Sequence, residues 1–328
     1  MQFIKRIYHS AKTAMCHKQN FASYYEPQLM PRYKNDSLDA PTEKKCIYMV
    51  DGTDFNPGLC DKLRGALSLF KMCQENGVNF KINWVYPFDL TDYLLPNEYN
   101  WSIPNSEVIY SKDSHPIVID YAPYLLMQPL IDRLTFRKRI LKSEYKQLHV
   151  YSNTILGIRH YRENFNKLFK PSPKLSNALL PHKEALGSSY ISFSLRFMEL
   201  LGDFKDQEGV STPLPEEQQN ELMALCADKL LEVLNTHPAG TKAFVASDSA
   251  RFLKYISSKD NRVYIVPGEI VHVRYKGSDE AYMKTFVDLF LLKDARTRYL
   301  LHTGSMYNSG FPRFASWIGL GDFHLIDF

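Results

Sequence analysis

Apolar positions along the chain change their period in a repeating order. Cys46 to Val50 form an unbroken apolar run, and Asp51 to Leu59 hold the glycines and proline of a turn. Leu63, Ala66, Leu67 and Phe70 then recur at helical spacing up to Gly77, after which Val78, Phe80, Ile82 and Trp84 alternate. Strand, loop, helix and strand in that order make a β-α-β unit. Such a unit closes onto a parallel sheet and leaves the loop after its first strand free for a ligand. Apolar runs at Val108 to Tyr110 and Ile117 to Ile119 predict two more strands, and Leu125 to Phe169 reads as helical.

Lys170-Pro171-Ser172-Pro173 cannot continue a helix, because proline lacks a donor and restricts the residue before it. The interdomain connection is therefore placed between there and about Gly187. Beyond it the alternation resumes: strand Tyr190 to Arg196, helix near Glu216 to Leu234, strand Ala243 to Ala246, helix Ala250 to Ser257 and strand Val263 to Val266. Helix Glu280 to Leu292, strand Tyr299 to His302, helix Phe311 to Ile318 and strand Phe323 to Ile326 complete it. The expected organisation is a polar extension over 1–40, an α/β domain over 41–175 and a second over 176–328. Neither half repeats itself at a fixed period, which excludes solenoids and propellers.

Composition changes this picture little. A chain of 328 residues with 45% hydrophobic content has material for two cores. No run approaches the roughly 18 apolar residues of a membrane span, and the basic start, Met1 to Lys18, lacks the apolar core of a secretory signal. Phe3, Ile4, Ile7, Tyr8 and Ala11 would share one face of a short basic helix, so a peripheral membrane contact is one expectation there. Cys16, Cys46, Cys60, Cys73 and Cys226 are scattered without a C-x-x-C pair, which argues against a disulfide framework or zinc knuckle and fits a reducing cytoplasm. A net charge of +4 suits an anionic ligand without implying binding along a nucleic acid. The basic residues Arg133, Arg137, Lys138, Arg139, Lys142 and Lys146 recur at helical spacing and read as a solvated helix face.

Four segments hold candidate chemistry. The loop Asp51 to Leu59, with Gly58, joins a strand to a helix amino terminus, where unpaired N–H groups attract anions; it matches neither G-x-G-x-x-G nor the P-loop pattern, and Gly58 serves equally as a turn glycine. Arg196 ends an apolar strand, a position that faces the crevice where α/β proteins bind ligands, and its planar fork suits a diphosphate; otherwise Glu199 or Asp203 pairs with it. Asp248, in Ser247-Asp248-Ser249, either caps the next helix or accepts from a ribose or base. Asp288, flanked by Val287 and Leu289, needs a partner if buried, and Ser309 either donates to phosphate or caps the helix that tolerates Pro312. There is no D-x-D metal motif, no H-E-x-x-H and no G-x-S-x-G.

Taken in order, these segments resemble the superfamily of α1,2-, α1,6- and protein O-fucosyltransferases, GT-B enzymes that use GDP-fucose without a metal. Gly58-Leu59-Cys60-Asp61-Lys62-Leu63-Arg64-Gly65 is similar to the family's G-L-G-D-R-L-R-G, and Tyr190 to Arg196 to its strand ending H-x-R. Phe244 to Ser249 is similar to the strand ending Ser/Thr-Asp, Val287 to Leu292 to D-x-x-x-L-S, and Ser309 to Ala315 to S-x-x-x-R-x-A. The resemblance spans Val50 to Trp317 and departs from the pattern at Ser194, where most relatives have histidine, and at Cys60, where many have glycine. It implies a GT-B-like fold, two Rossmann-like α/β domains with a cleft between them, and inverting transfer of fucose from GDP-β-L-fucose to a glycan or other hydroxyl, with no cofactor and no metal. By position, Arg196 would bind the β-phosphate, Asp248 and Asp288 would hold the guanosine, and Ser309 would donate to the diphosphate. For the base that assists the acceptor hydroxyl, Glu199, Asp203 and Asp206 follow Arg196, and Asp203 is favoured because Gly202 makes a turn there. Two further readings stay open: a GT-B enzyme with another nucleotide sugar, and a catalytically idle carbohydrate- or nucleotide-binding protein, motivated by Ser194.

Overall fold

In the computed structural model, the structure describes residues 24–36, 43–53, 58–119, 134, 136–153, 160–204, 212–269 and 277–328. The amino-terminal basic segment, loop positions 54–57, Arg133 and Asp206 lie outside the described residues. Two compact units divide the chain, Met1–Lys170 and Pro171–Phe328.

The first unit is built on β1 (Lys45–Val50), α1 (Leu59–Glu75) and β2 (Asn79–Trp84). Short β3 (Leu94–Pro96) is followed by β4 (Ser114–Ile119), β5 (Gln147–Ser152), α2 (Tyr161–Leu168) and β6 (Phe169–Pro171). The main sheet has the order β2-β1-β5-β4 and is parallel throughout. The chain runs outward from β1 to β2 on one side, then fills β5 and β4 on the other. That reversal is a topological switch point between β1 and β5.

Sequence periodicity goes astray here in two places. The stretch expected to be helical from Leu125 to Phe169 contains β5, every residue of which is buried. Strands covered on both faces lose their polar alternation, and Gln147, His149 and Ser152 disguise this one further. They are tolerable inside because they are paired: the Tyr33 hydroxyl bonds His149 Nδ1 at 2.7 Å, and Gln147 Oε1 accepts from the Ile109 N–H at 2.7 Å. That second bond also explains why Val108 to Tyr110 forms no strand, since a side chain takes the place of a ladder partner. Arg137 to Leu141 form a π-helical turn on which Arg137 and Lys138 are exposed, as a solvated face requires, while Arg139 bonds Glu26 and the Val118 carbonyl and Lys146 lies beyond the helix.

The second unit begins with α3 (Pro173–Leu186), in the stretch expected to be a connection. Pro173 stands in the first turn, where a missing N–H costs nothing, and the Ser172 hydroxyl accepts from the Leu175 N–H at 3.1 Å. The two features that read as a helix stop are a helix start. There follow β7 (Tyr190–Leu195), α4 (Glu216–Leu234), β8 (Lys242–Ser247), α5 (Ala250–Ser257) and β9 (Val263–Tyr264). Then come α6 (Asp279–Asp294), β10 (Thr297–His302), α7 (Gly310–Ile318) and β11 (Asp322–Asp327). The sheet order β11-β10-β7-β8-β9 is again parallel, with its switch point between β7 and β10.

β7 is the centre of this sheet. Ile191, Phe193 and Leu195 pack with Leu230 of α4 and Phe252 of α5. Alternation turns Tyr190, Ser192 and Ser194 to the other face, where the Tyr190 hydroxyl donates to the Leu291 carbonyl of α6 at 2.7 Å. Among the described residues no helix is long and apolar enough to cross a membrane.

Candidate functional site

Arg196 follows the last residue of β7, at the switch point of its sheet. From the other side of that point the chain leaves β10 and runs to Ser309, which caps α7 by accepting from the Phe311 N–H at 3.2 Å. The Tyr307 N–H donates to the Arg196 carbonyl at 2.9 Å, so the two loops are joined. This bond fixes the segment that leads into α7 against the Arg196 backbone. A Cβ added at Gly310, the first residue of that helix, would meet nothing within 4 Å. A helix amino terminus with room beside its first residue, on a loop bonded to the one that carries a guanidinium, is an arrangement suited to an anion.

The guanidinium itself is held on one edge. Its Nε lies 3.6 Å from Asp248 Oδ2 and 3.3 Å from Met198 Sδ, and the Phe204 ring centre is 5.1 Å from its central carbon. Among the described residues the two terminal nitrogens have no partner, and the side chain keeps 23% exposure. Asp248 accepts from the Phe197 and Met198 N–H groups, both at 2.8 Å. Burial pushes its carboxyl above the usual carboxylate range, against the opposing pull of Arg196 and these amides.

Asp203 is drawn into the same neighbourhood, in a different capacity. Gly202 does turn the chain there, with a φ of +74°, but the carboxylate accepts from the Ser249 hydroxyl at 2.9 Å and the Arg251 N–H at 2.8 Å. It therefore satisfies the amino terminus of α5. Asp288 sits on α6, where Oδ2 pairs with Lys284 Nζ at 2.6 Å and Oδ1 has no hydrogen-bond partner. Burial raises this carboxyl, and Lys284 opposes the rise. The Ser194 hydroxyl is likewise buried and unpartnered.

In the first unit Gly58 is the residue before α1 and caps it without a side chain. Asp51, which follows β1 at that sheet's switch point, is a charged centre that no sequence pattern marks. Its Oδ2 accepts from Arg32 at 2.8 Å, Tyr151 at 2.9 Å and Tyr110 at 3.2 Å, and its Oδ1 accepts from the Thr53 hydroxyl at 2.7 Å and N–H at 3.2 Å. Burial alone would raise this carboxyl; the Thr53 and Arg32 contacts bring it below the usual range. Partners so far apart in the chain leave no local pattern, which is why spacing could not reveal them. Among the described residues no cluster of three or more His, Cys, Asp or Glu side chains is placed to hold a metal.

No family model matches the chain, and no curated protein does. Solved structures do. NodZ alpha-1,6-fucosyltransferase soaked with GDP-fucose superposes with a TM-score of 0.50 at 17% identity, covering 85% of this chain and 93% of that one. The selenomethionine form of NodZ from Bradyrhizobium gives 0.51 over the same shares. POFUT1 in complex with GDP gives 0.50 at 10% identity, over 88% of this chain and 99% of that one. What identities this low carry is architecture: the chain has the GT-B-like α/β fold of these fucosyltransferases.

Proposed function

We propose that the protein is a glycosyltransferase that moves fucose from GDP-β-L-fucose to a hydroxyl of a glycan acceptor, with inversion and without a metal ion. The observation that carries this reading is the backbone bond that joins the Arg196 turn to the loop leading into α7, at the switch point between β7 and β10. In support, the NodZ structure of the same fold was soaked with GDP-fucose, and POFUT1 was crystallised with GDP.

As the glycosidic bond breaks, positive charge gathers on the sugar ring and negative charge on the departing diphosphate. Arg196 offers its two terminal nitrogens to that diphosphate as charge-assisted donors, and the amino terminus of α7 adds its dipole and the Gly310 N–H, since the Phe311 N–H is taken by Ser309 and Pro312 has none. Both are fixed before the reaction starts, so they stabilise developing charge without reorganising.

The test is a panel of nucleotide diphosphates and nucleotide sugars scored for protection against heating, followed by donor hydrolysis. GDP and GDP-fucose protect, and Arg196→Ala weakens GDP binding roughly tenfold to a hundredfold, the loss of one charge-assisted contact. Unchanged GDP affinity in Arg196→Ala, with the fold intact, would sink the assignment. One observation favours a second reading: the hydroxyl of Ser194 stands, buried and unpartnered, where most members of the resembling family carry histidine. GDP binding without any hydrolysis of GDP-fucose would select that reading, an idle nucleotide-binding protein.

A further inference from the structure

We propose that Asp248 is a positioning residue: it does not touch the nucleotide but folds the Arg196–Met198 turn and locks one edge of Arg196, so that the terminal nitrogens face the diphosphate. This rests on the role of Arg196 proposed above.

Three features carry it. First, Asp248 is out of reach, since its side chain is 1% exposed, so a ribose hydroxyl cannot approach it. Second, both carboxylate oxygens are engaged. Oδ1 accepts from the Phe197 N–H, and Oδ2 accepts from the Met198 N–H and lies 3.6 Å from Arg196 Nε. Two successive amides aimed at one anion form a nest, the concavity that elsewhere binds phosphate; here the chain fills it with its own carboxylate. Third, Met198 has a φ of +55°, in the left-handed region that a side chain disfavours by about 1–2 kcal/mol. The Asp248 bond to the Met198 N–H is what holds this conformation in place.

The turn sets the direction of Arg196. The residue precedes the nest, its carbonyl is fixed by the Tyr307 N–H, and its Nε is drawn to Asp248 Oδ2. With Phe204 against one face, the edge left over is the pair of terminal nitrogens. Removing the Asp248 charge releases the amides and Nε together, and Arg196 loses its direction while keeping its charge.

The test uses the full chain and compares the affinities of GDP and guanosine by calorimetry in wild type, Asp248→Asn, Arg196→Ala and the double variant, with melting temperature as the check on folding. An asparagine offers one acceptor where the nest needs two. Asp248→Asn should weaken GDP about tenfold while guanosine changes less than about twofold, and should add nothing further in the Arg196→Ala background. Weakening of guanosine in step with GDP, additive losses in the double variant, or unchanged GDP affinity would each overturn the proposal. If Asp248→Asn does not fold, Met198→Val decides, because a β-branched residue opposes the positive φ without touching the carboxylate: the same selective loss of GDP supports the proposal, and no loss overturns it. Arg196→Ala distinguishes the levels. If that variant binds GDP normally, the diphosphate role of Arg196 is wrong; if it binds GDP weakly while Asp248→Asn binds it normally, only the positioning role fails.

Discussion

Gly65 lies inside α1, where helix propensity alone says that alanine is better by about 1 kcal/mol. The packing says the reverse. A Cβ at this position would stand 1.9 Å from the Ser152 carbonyl oxygen, 2.7 Å from its carbon and 2.9 Å from the Tyr48 hydroxyl oxygen. Ordinary contact begins at 3.4 Å, so α1 would have to retreat from the end of β5 by about 1.5 Å. The obstacle is backbone in a central strand and cannot swing aside. Where the retreat is incomplete, the methyl crowds both oxygens of the 2.8 Å bond that the Tyr48 hydroxyl donates to the same carbonyl. Overpacking of this kind costs about 1–3 kcal/mol and a lost hydrogen bond about 1, against the gain of about 1 from propensity. Since rigid backbone places the first figure in its upper part, Gly65→Ala should lose about 2–3 kcal/mol. For a unit of this length that is a fall of roughly 4–12 °C in melting temperature, read by scanning calorimetry. A variant as stable as wild type, or more stable, would refute the close approach of α1 to β5.

Two more outcomes test other parts of the structure. His149 is buried between Tyr33 and Gln147, and burial pulls its pKa down to about 3. An unfolded histidine titrates near 6.5, so this neutral imidazole stabilises the fold fully above about pH 6.5, and the contribution is lost as pH falls towards 3. The acid limb of the stability curve should therefore flatten in His149→Gln by on the order of a few kcal/mol, measured by urea unfolding between pH 7 and 3.5; an unchanged limb would remove His149 as its cause. Asp203→Asn should lower stability by about 1 kcal/mol, through the amino terminus of α5, and leave GDP affinity and donor turnover near wild type. Turnover lost more than about a hundredfold at unchanged GDP affinity would instead make Asp203 the base that assists the acceptor.

The elements legible in the sequence are those whose pattern is local. β1, α1 and β2 announce themselves by a change of period, and β7 by an apolar run ending in Arg196. β5 does not, because Gln147 and His149 are buried beside partners from elsewhere in the chain, and alternation cannot register a polar residue that is satisfied at a distance. Arg298 makes the same point within β10: it is fully buried, donating to the Leu292 and Leu320 carbonyls, where a sequence reading would place an arginine at the surface. At the candidate site, the sequence singles out Arg196, Asp248 and Ser309 as ends of strands and starts of helices, but not the hydrogen bonds that Asp203 and Asp248 accept. By residue type both are candidate carboxylates for substrate, and both accept backbone N–H groups, an interaction that depends on where amides point.

That distinction separates two charged residues that occupy the same place in their sheets. Asp51 follows the first strand of one unit and Arg196 the first strand of the other, each at a switch point, where the fold alone predicts a ligand. Asp51 has both oxygens occupied by Arg32, Tyr110, Tyr151 and Thr53, and a ligand donor would have to displace a contact already made. Arg196 has one edge occupied and one open. A buried polar group with all its partners rigidifies a fold, whereas one held on a single edge is oriented and still has bonds to give. The open edge, more than the charge or the strand end, is what makes Arg196 the residue on which ligand binding should depend.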